Sequence, residues 1–169
     1  AASGAGKSFF TQDYVKAILG SGGKVFIIDS GRSYENLCQI LDGEYIDFEE
    51  GNTICLNPFT TILEEAKAGG NNFSEQLPLL IELIATMASP NDPVSAKHRA
   101  ILGECILNAW RSFGNKTTMT NVQKALKKSP EIEGHDLAVM LSPYCADGAY
   151  EQYFEGEGNI NFKKNFVVL

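Results

Sequence analysis

The first eight residues of the sequence have the composition and spacing of a phosphate-binding loop. They read Ala1-Ala2-Ser3-Gly4-Ala5-Gly6-Lys7-Ser8 and match the pattern G-x-x-x-x-G-K-[ST], with alanine in place of the first glycine. Small residues let such a loop curl tightly, so that backbone N–H groups point at phosphate oxygens. A helix beginning at the loop adds the positive end of its dipole and its unpaired N–H donors. The spacing therefore predicts a site for a nucleotide polyphosphate.

The polar residues of this loop have separate expected roles. Lys7 is the candidate catalytic residue and supplies a positive charge to the β- and γ-phosphates of ATP, while the Ser8 hydroxyl is a candidate Mg²⁺ ligand. The residues expected to contact the nucleotide are Ser3, Gly4, Ala5, Gly6, Lys7, Ser8 and Phe9. Ala1 departs from the pattern and requires a negative φ. The competing interpretation is a flexible terminus of small residues that happens to contain a lysine.

Five other places in the sequence could contribute to a site, and each has a structural alternative. Asp29 ends a predicted strand, so it either positions water or Mg²⁺ or caps the turn that follows. Arg32 contacts either a nucleotide or a neighbouring subunit, or it braces its loop through an ion pair. Structural roles are favoured for the remaining aromatic and polar residues, namely Tyr34, Asn57-Pro58-Phe59 and Trp110.

The elements that would position the loop alternate between helix and strand. The apolar residues Phe10, Tyr14, Ala17 and Ile18 predict a helix over 6–19, and Gly20 is a natural helix end. The nearly continuous apolar run of 24–29 predicts a strand buried on both faces of a parallel sheet. A short helix is predicted over 34–41. Further strands are predicted over 44–48, 53–56 and 165–169.

Beyond about residue 60 the hydrophobic period changes to that of helices. Amphipathic helices are predicted over 72–88 and 95–113. A capping box at 120–123 predicts the start of a third helix, and a fourth is predicted over 134–141. The fold class predicted is α/β, a partial sheet of an ATPase core with a large all-helical insertion. The expected domains are 1–59 and 154–169 for the core and 60–153 for the insertion.

Three further blocks give the sequence a specific resemblance. They are 28–38 (IDSGRSYENLC), 43–48 (GEYIDF) and 56–59 (LNPF), followed in the same order by 147–154 and 165–169. Together with the phosphate loop, they resemble the TraC-type conjugation ATPases of bacterial type IV secretion systems along the whole chain. The block D-x-G-R-S-Y is far more specific than the phosphate loop alone.

The resemblance implies a RecA-like P-loop ATPase that uses ATP and Mg²⁺ and forms a homo-hexamer. It also implies a role with other secretion components in pilus assembly and DNA or protein transfer, at the cytoplasmic face of the bacterial inner membrane. The family places its Walker B acids directly after a strand such as 166–169, so we expect Asp or Glu within about two residues after Leu169 in the parent protein. The chain itself is expected not to hydrolyse ATP. The alternatives are a DNA-pumping motor of the FtsK or coupling-protein kind and a non-catalytic scaffold whose helical insertion docks other components.

Composition narrows the classes of partner and site. The net charge is −7, from 14 basic and 21 acidic residues, which gives no support to a broad DNA-binding surface but does not exclude a local basic pore. No C-x-x-C pair is formed by the four cysteines, Cys38, Cys55, Cys105 and Cys145. Free thiols are therefore favoured over a zinc site. Neither a signal peptide nor an apolar run of membrane-spanning length is evident, so a cytoplasmic location is expected.

Overall fold

A three-stranded parallel sheet holds the two ends of the chain together. In the computed structural model, which describes residues 7–48, 54–60, 73–160 and 164–169, the strands are β1 (Val25–Ile27), β2 (Glu44–Tyr45) and β3 (Phe166–Val168). Their order is β1-β3-β2, so the last strand lies between the first two. Val25 pairs with Phe166 and Glu44 pairs with Val167.

The sheet belongs to the first of two units into which the chain divides, formed by 1–52 and 161–169. Helices α1 (Lys7–Gly20) and α2 (Glu35–Ile40) complete its described part. Its small core is formed by Val15, Leu37, Cys38, Phe166 and Val168. All three residues of β3 are buried, which confirms the prediction that 165–169 contains a central strand.

Two predictions about this unit were wrong in detail. Phe26 is 53% and Ile28 is 92% exposed, so the first strand is not buried on both faces; within the described residues β1 pairs only with β3. Phe10 and Tyr14 are also exposed, whereas Val15 of α1 is buried in the core and Leu19 packs against it. The apolar residues of β1 and α1 therefore did not by themselves show which side of each element is buried.

The second unit, 53–160, is built from helices in its described part. These are α3 (Phe73–Ala88), α4 (Ala96–Phe113), α5 (Met119–Lys127), α6 (Ile132–Met140) and the short α7 (Glu151–Phe154), with 3-10 turns at Gly114–Lys116 and Ser142–Tyr144. One large apolar core joins the helices and contains Leu80, Ile84, Leu102, Ile106 and Leu137. The predicted inward faces of α3 and α4 are confirmed, since their apolar residues at helical spacing are buried in this core or packed against it.

Two predicted elements differ from the structure: one helix begins earlier than predicted, and one predicted strand is not formed by its described residues. The helix expected from a capping box at 120–123 begins at Met119, because Thr118 is its N-cap and the Asn121 side chain accepts a hydrogen bond from the Thr118 N–H at 2.9 Å. Described residues 54–57 form no strand. Cys55 instead makes isolated hydrogen bonds, its N–H donating to Asn159 Oδ1 at 2.9 Å and its carbonyl accepting from Asn159 N at 3.1 Å.

The turn before α7 depends on a glycine. A Cβ atom added at Gly148 would lie 2.4 Å from the carbonyl oxygen of Ser142 and 2.5 Å from that of Pro143. Both obstructing atoms are backbone atoms, so a neighbouring side chain cannot relieve the contact by changing rotamer. Asp147, just before it, has a φ of 66°, which is a conformation that only a few non-glycine residues adopt readily.

We predict that Gly148→Ala lowers the free energy of unfolding of the helical unit by about 1–3 kcal/mol, the usual cost of forcing an atom into a filled site. The chain's single tryptophan, Trp110, lies in α4, so urea denaturation followed by its fluorescence reports on this unit. Ala149→Ser is the matched control, because it adds one atom at the neighbouring exposed position and should change stability by less than about 0.5 kcal/mol. Equal stability of the two variants would contradict the account of this turn.

Candidate nucleotide-binding site

The N-terminal end of α1 carries part of the predicted phosphate loop. Lys7, Ser8 and Phe9 form the first residues of the helix, whereas Ser3, Gly4, Ala5 and Gly6 lie outside the described residues. The backbone N–H groups of a first helical turn have no partner within the helix. This turn contains no acidic residue, so no carboxylate of the turn offsets the positive end of the helix dipole. An anion is favoured at such a helix end, and the chemistry of Lys7 and Ser8 fits a Mg²⁺-bound polyphosphate.

Asp29 lies at the carboxyl edge of the sheet, where sites of open α/β folds form. Its backbone N–H donates to the Leu169 carbonyl at 2.7 Å, and the Leu169 N–H donates to the Ile27 carbonyl at 2.9 Å. The ladder between β1 and β3 therefore continues past the strand ends and fixes the start of the following loop.

The Asp29 side chain caps this loop. Oδ1 accepts from the Gly31 N–H at 3.1 Å and Oδ2 accepts from the Tyr34 N–H at 3.0 Å. Of the two roles considered for Asp29, the structure shows the structural one, with each carboxylate oxygen holding a backbone donor. Tyr34 is the N-cap residue of α2, so Asp29 couples the end of β1 to the start of the next helix.

Arg32 braces the same loop from outside. Its guanidinium Nη2 lies 2.9 Å from Asp47 Oδ2, and about half of the arginine side chain is exposed. Arg32 has a φ of 53°, a left-handed conformation that is uncommon for a non-glycine residue. The structure thus shows the loop-bracing ion pair, one of the alternatives considered for this residue.

Two residues that take part in this arrangement were missed by the sequence interpretation. Gln12 of α1 donates from Nε2 to the Ser33 carbonyl at 3.2 Å and so joins the helix to the loop. Asp47, the partner of Arg32, stands in a block whose composition indicated the family but gave no sign of a pairing across the loop. Gln12 gave no signal at all, because a glutamine within a helix is ordinary.

The other candidates have structural roles in the helical unit. Asn57 is fully buried; its Nδ2 donates to the carbonyls of Thr117 at 3.0 Å and Gly156 at 2.6 Å, and its Oδ1 accepts from Phe59 N. Trp110 stacks on Phe73, with ring centroids 4.2 Å apart and planes 2° from parallel. Both results confirm the structural interpretation.

The cysteines and the described acidic residues form no metal centre. All four cysteines are buried and free, and no group of three or more His, Cys, Asp or Glu side chains among the described residues could hold a metal ion. Burial, with a smaller contribution from Glu155, raises the pKa of the Cys145 thiol to about 11, which keeps it protonated and unreactive at neutral pH. Among the helices of the described ranges, none combines the length and apolar character of a membrane span.

The fold and the site together define a class. A parallel sheet, a helix that begins at a phosphate-loop motif and a large helical insertion constitute a partial P-loop ATPase fold. The chain resembles VirB4 of Thermoanaerobacter pseudethanolicus throughout, with a TM-score of 0.69 and 21% sequence identity over 100% of this chain and 47% of that one.

Comparisons of sequence specify the resemblance further. Residues 1–74 match the TraG P-loop domain family, and the chain is 28% identical over 179 aligned residues to protein TraC of Escherichia coli K12. That alignment covers 99% of this chain and 19% of TraC. The resemblance to TraC-type ATPases of type IV secretion systems is confirmed. The chain spans about a fifth of TraC and about half of VirB4.

We predict that Asp29→Ala loosens the loop at the sheet edge, because the N–H groups of Gly31 and Tyr34 lose their acceptors. Loss of a comparable side-chain cap costs about 0.5–2 kcal/mol. Amide hydrogen exchange followed by NMR should show faster exchange at these two positions. Asp13→Ala, which removes an exposed ion pair to Lys16 on α1, is the control and should leave both rates unchanged; unchanged rates in Asp29→Ala itself would contradict the capping role.

Proposed function

We propose that this chain is the phosphate-binding portion of an ATPase that powers type IV secretion. The observation that carries the proposal is the position of Lys7 and Ser8 in the first turn of α1, at the end of a complete G-K-S sequence. The similarity to TraC and VirB4 supports the same assignment.

In this proposal the chain's own groups bind and orient the triphosphate. Backbone N–H groups of 3–8 surround its oxygens, Lys7 holds the β- and γ-phosphates, and the Ser8 hydroxyl provides a ligand for Mg²⁺. A Mg²⁺ ion held there would supply positive charge to the phosphate oxygens. Gln12 and Asp29 do not contact the nucleotide in this account; they fix the loop of 29–34 relative to α1 and β1.

Hydrolysis requires, in addition, a carboxylate that orients the attacking water. Asp29 is already engaged by two backbone N–H groups. We therefore propose that the catalytic acids of the parent protein follow β3, after Leu169. For the intact protein we further propose a homo-hexamer at the cytoplasmic face of the inner membrane, working with other secretion components in pilus assembly and transfer of DNA or protein.

We predict that Lys7→Ala weakens ATP binding by the intact protein about tenfold to a hundredfold, because it removes a charge-assisted contact worth about 1.5–3 kcal/mol. Calorimetric titration with Mg-ATP measures the change. Lys16→Ala is the matched control, since Lys16 is an exposed lysine on the same helix that pairs with Asp13. The assignment of Lys7 would be refuted by equal affinities of wild type and Lys7→Ala.

We also predict that the 169-residue chain, purified alone, releases phosphate from ATP at the rate of an enzyme-free control. The reason is that two acids at the described sheet edge already serve the loop, since Asp29 accepts from two backbone N–H groups and Asp47 pairs with Arg32. A phosphate-release assay checks this, and turnover above ~1 s⁻¹, an ordinary enzymatic rate, would show that a catalytic acid lies within these residues.

A further inference from the structure

The helical unit has a groove on its surface between α4 and α5. Its volume is about 450 Å³, and its apolar lining includes Ile101, Ala109 and Phe113 of α4. From residue 101 to residue 113 the groove follows α4 for roughly 18 Å, at 1.5 Å per residue. Phe113 is half exposed there, which gives the groove an apolar end open to a partner.

The α5 side of the groove is basic. Lys124 and Lys128 line it one helical turn apart, and neither has an ion-pair partner within the described part of the chain. Glu104 of α4 is the acidic residue of the lining, so two cations face one anion. An apolar segment carrying carboxylates is the complementary ligand.

An apolar surface that carries a carboxylate is present on the same unit, along the exposed side of α3. Leu79 and Leu83 are 60% and 43% exposed, and Glu75 precedes them at the same four-residue spacing. These three residues lie on one face of the helix and are called the α3 stripe. Glu82 borders the stripe and pairs with Arg99 at 2.8 Å. The stripe extends for roughly 12 Å, which is shorter than the groove.

We propose that the groove between α4 and α5 binds the α3 stripe of a second copy of this chain. The two surfaces differ, so the contact is head-to-tail and leaves a free groove on one copy and a free stripe on the other, which lets further copies add. One helix in one groove buries less surface than a standard protein interface, so the contact is weak by itself, roughly micromolar or weaker. It does not depend on nucleotide binding.

Sedimentation velocity of the full 169-residue chain, from about 10 to 300 µM, tests the contact. Wild type should form dimers and larger species as concentration rises. Lys124→Glu/Lys128→Glu, Glu75→Lys and Leu83→Ser should each weaken self-association at least tenfold. The matched control is Lys16→Glu/Lys24→Glu, at exposed residues of the other unit. It changes the net charge by the same amount as Lys124→Glu/Lys128→Glu, which is called the groove variant. It should associate like wild type.

A mixture of the groove variant and Glu75→Lys supplies the decisive comparison. Each variant alone has lost one half of the contact. In the mixture, the unchanged groove of Glu75→Lys meets the unchanged stripe of Lys124→Glu/Lys128→Glu, and at the other contact the reversed charges attract, so association should be stronger than for either variant alone. Failure of the mixture to associate, association of wild type that neither variant weakens, or a monomeric wild type at the highest concentration would each overturn the proposal. A monomeric wild type would assign the groove to an acidic helix of another protein. Circular dichroism establishes that each variant is folded, and titration with Mg-ATP tests the nucleotide site separately.

Discussion

The parallel pairing of β3 with both β1 and β2 is the constraint on which the first unit depends. β3 is the only described strand with neighbours on both sides, and its residues Phe166 and Val168 supply two of the five core side chains. Without β3, neither β1 nor β2 would have a paired strand among those described, because each of them pairs with β3 and not with the other. Gly43 shows how closely the elements approach, since an added Cβ would lie 3.0 Å from the Phe166 carbonyl oxygen.

The same pairing determines the chemistry available at the sheet edge. Hydrogen bonds between Ile27, Asp29 and Leu169 carry the ladder past the strands, and this places Asp29 where its carboxylate reaches two loop N–H groups. The loop is then held at three points, by Asp29 from within, by Gln12 from α1 and by Asp47 through Arg32. We infer that this acid stabilises the edge of the proposed nucleotide site.

The sequence predicted the elements with long hydrophobic periods well. Helices α3 and α4 were located within about one residue, because burial of Leu80, Ile84, Leu102 and Ala109 at helical spacing leaves little choice of face. The central position of β3 followed from its continuous apolar run. The family blocks predicted the resemblance to TraC that the sequence comparison confirms, since the order of several short motifs is more specific than any one of them.

The predictions that were wrong depended on contacts that a one-dimensional pattern does not contain. Phe10 and Tyr14 share a helical spacing, yet Val15 enters the core, because the position of the sheet relative to α1 decides the buried face. Thr118, and not Thr120, caps α5, since Thr118 N–H bonds to Asn121 while Thr120 accepts from Ala146 N at 2.8 Å. Pairings such as Arg32 with Asp47 and Gln12 with Ser33 depend on loop geometry and leave no periodic signal. The proposed roles of Lys7 and Ser8 are based on the spacing of the loop motif and on the place of both residues in the first turn of α1.

The most direct test of the central claim is to locate where Mg-ATP binds on this chain. Backbone amide chemical shifts measured by NMR during a titration report each N–H group separately. The account predicts that the largest changes occur at residues 3–8, with smaller changes near Gln12, and that the amides of the groove between α4 and α5 do not move. Saturable changes confined to the helical unit, with none at 3–8, would contradict the claim that the start of α1 is a phosphate-binding site.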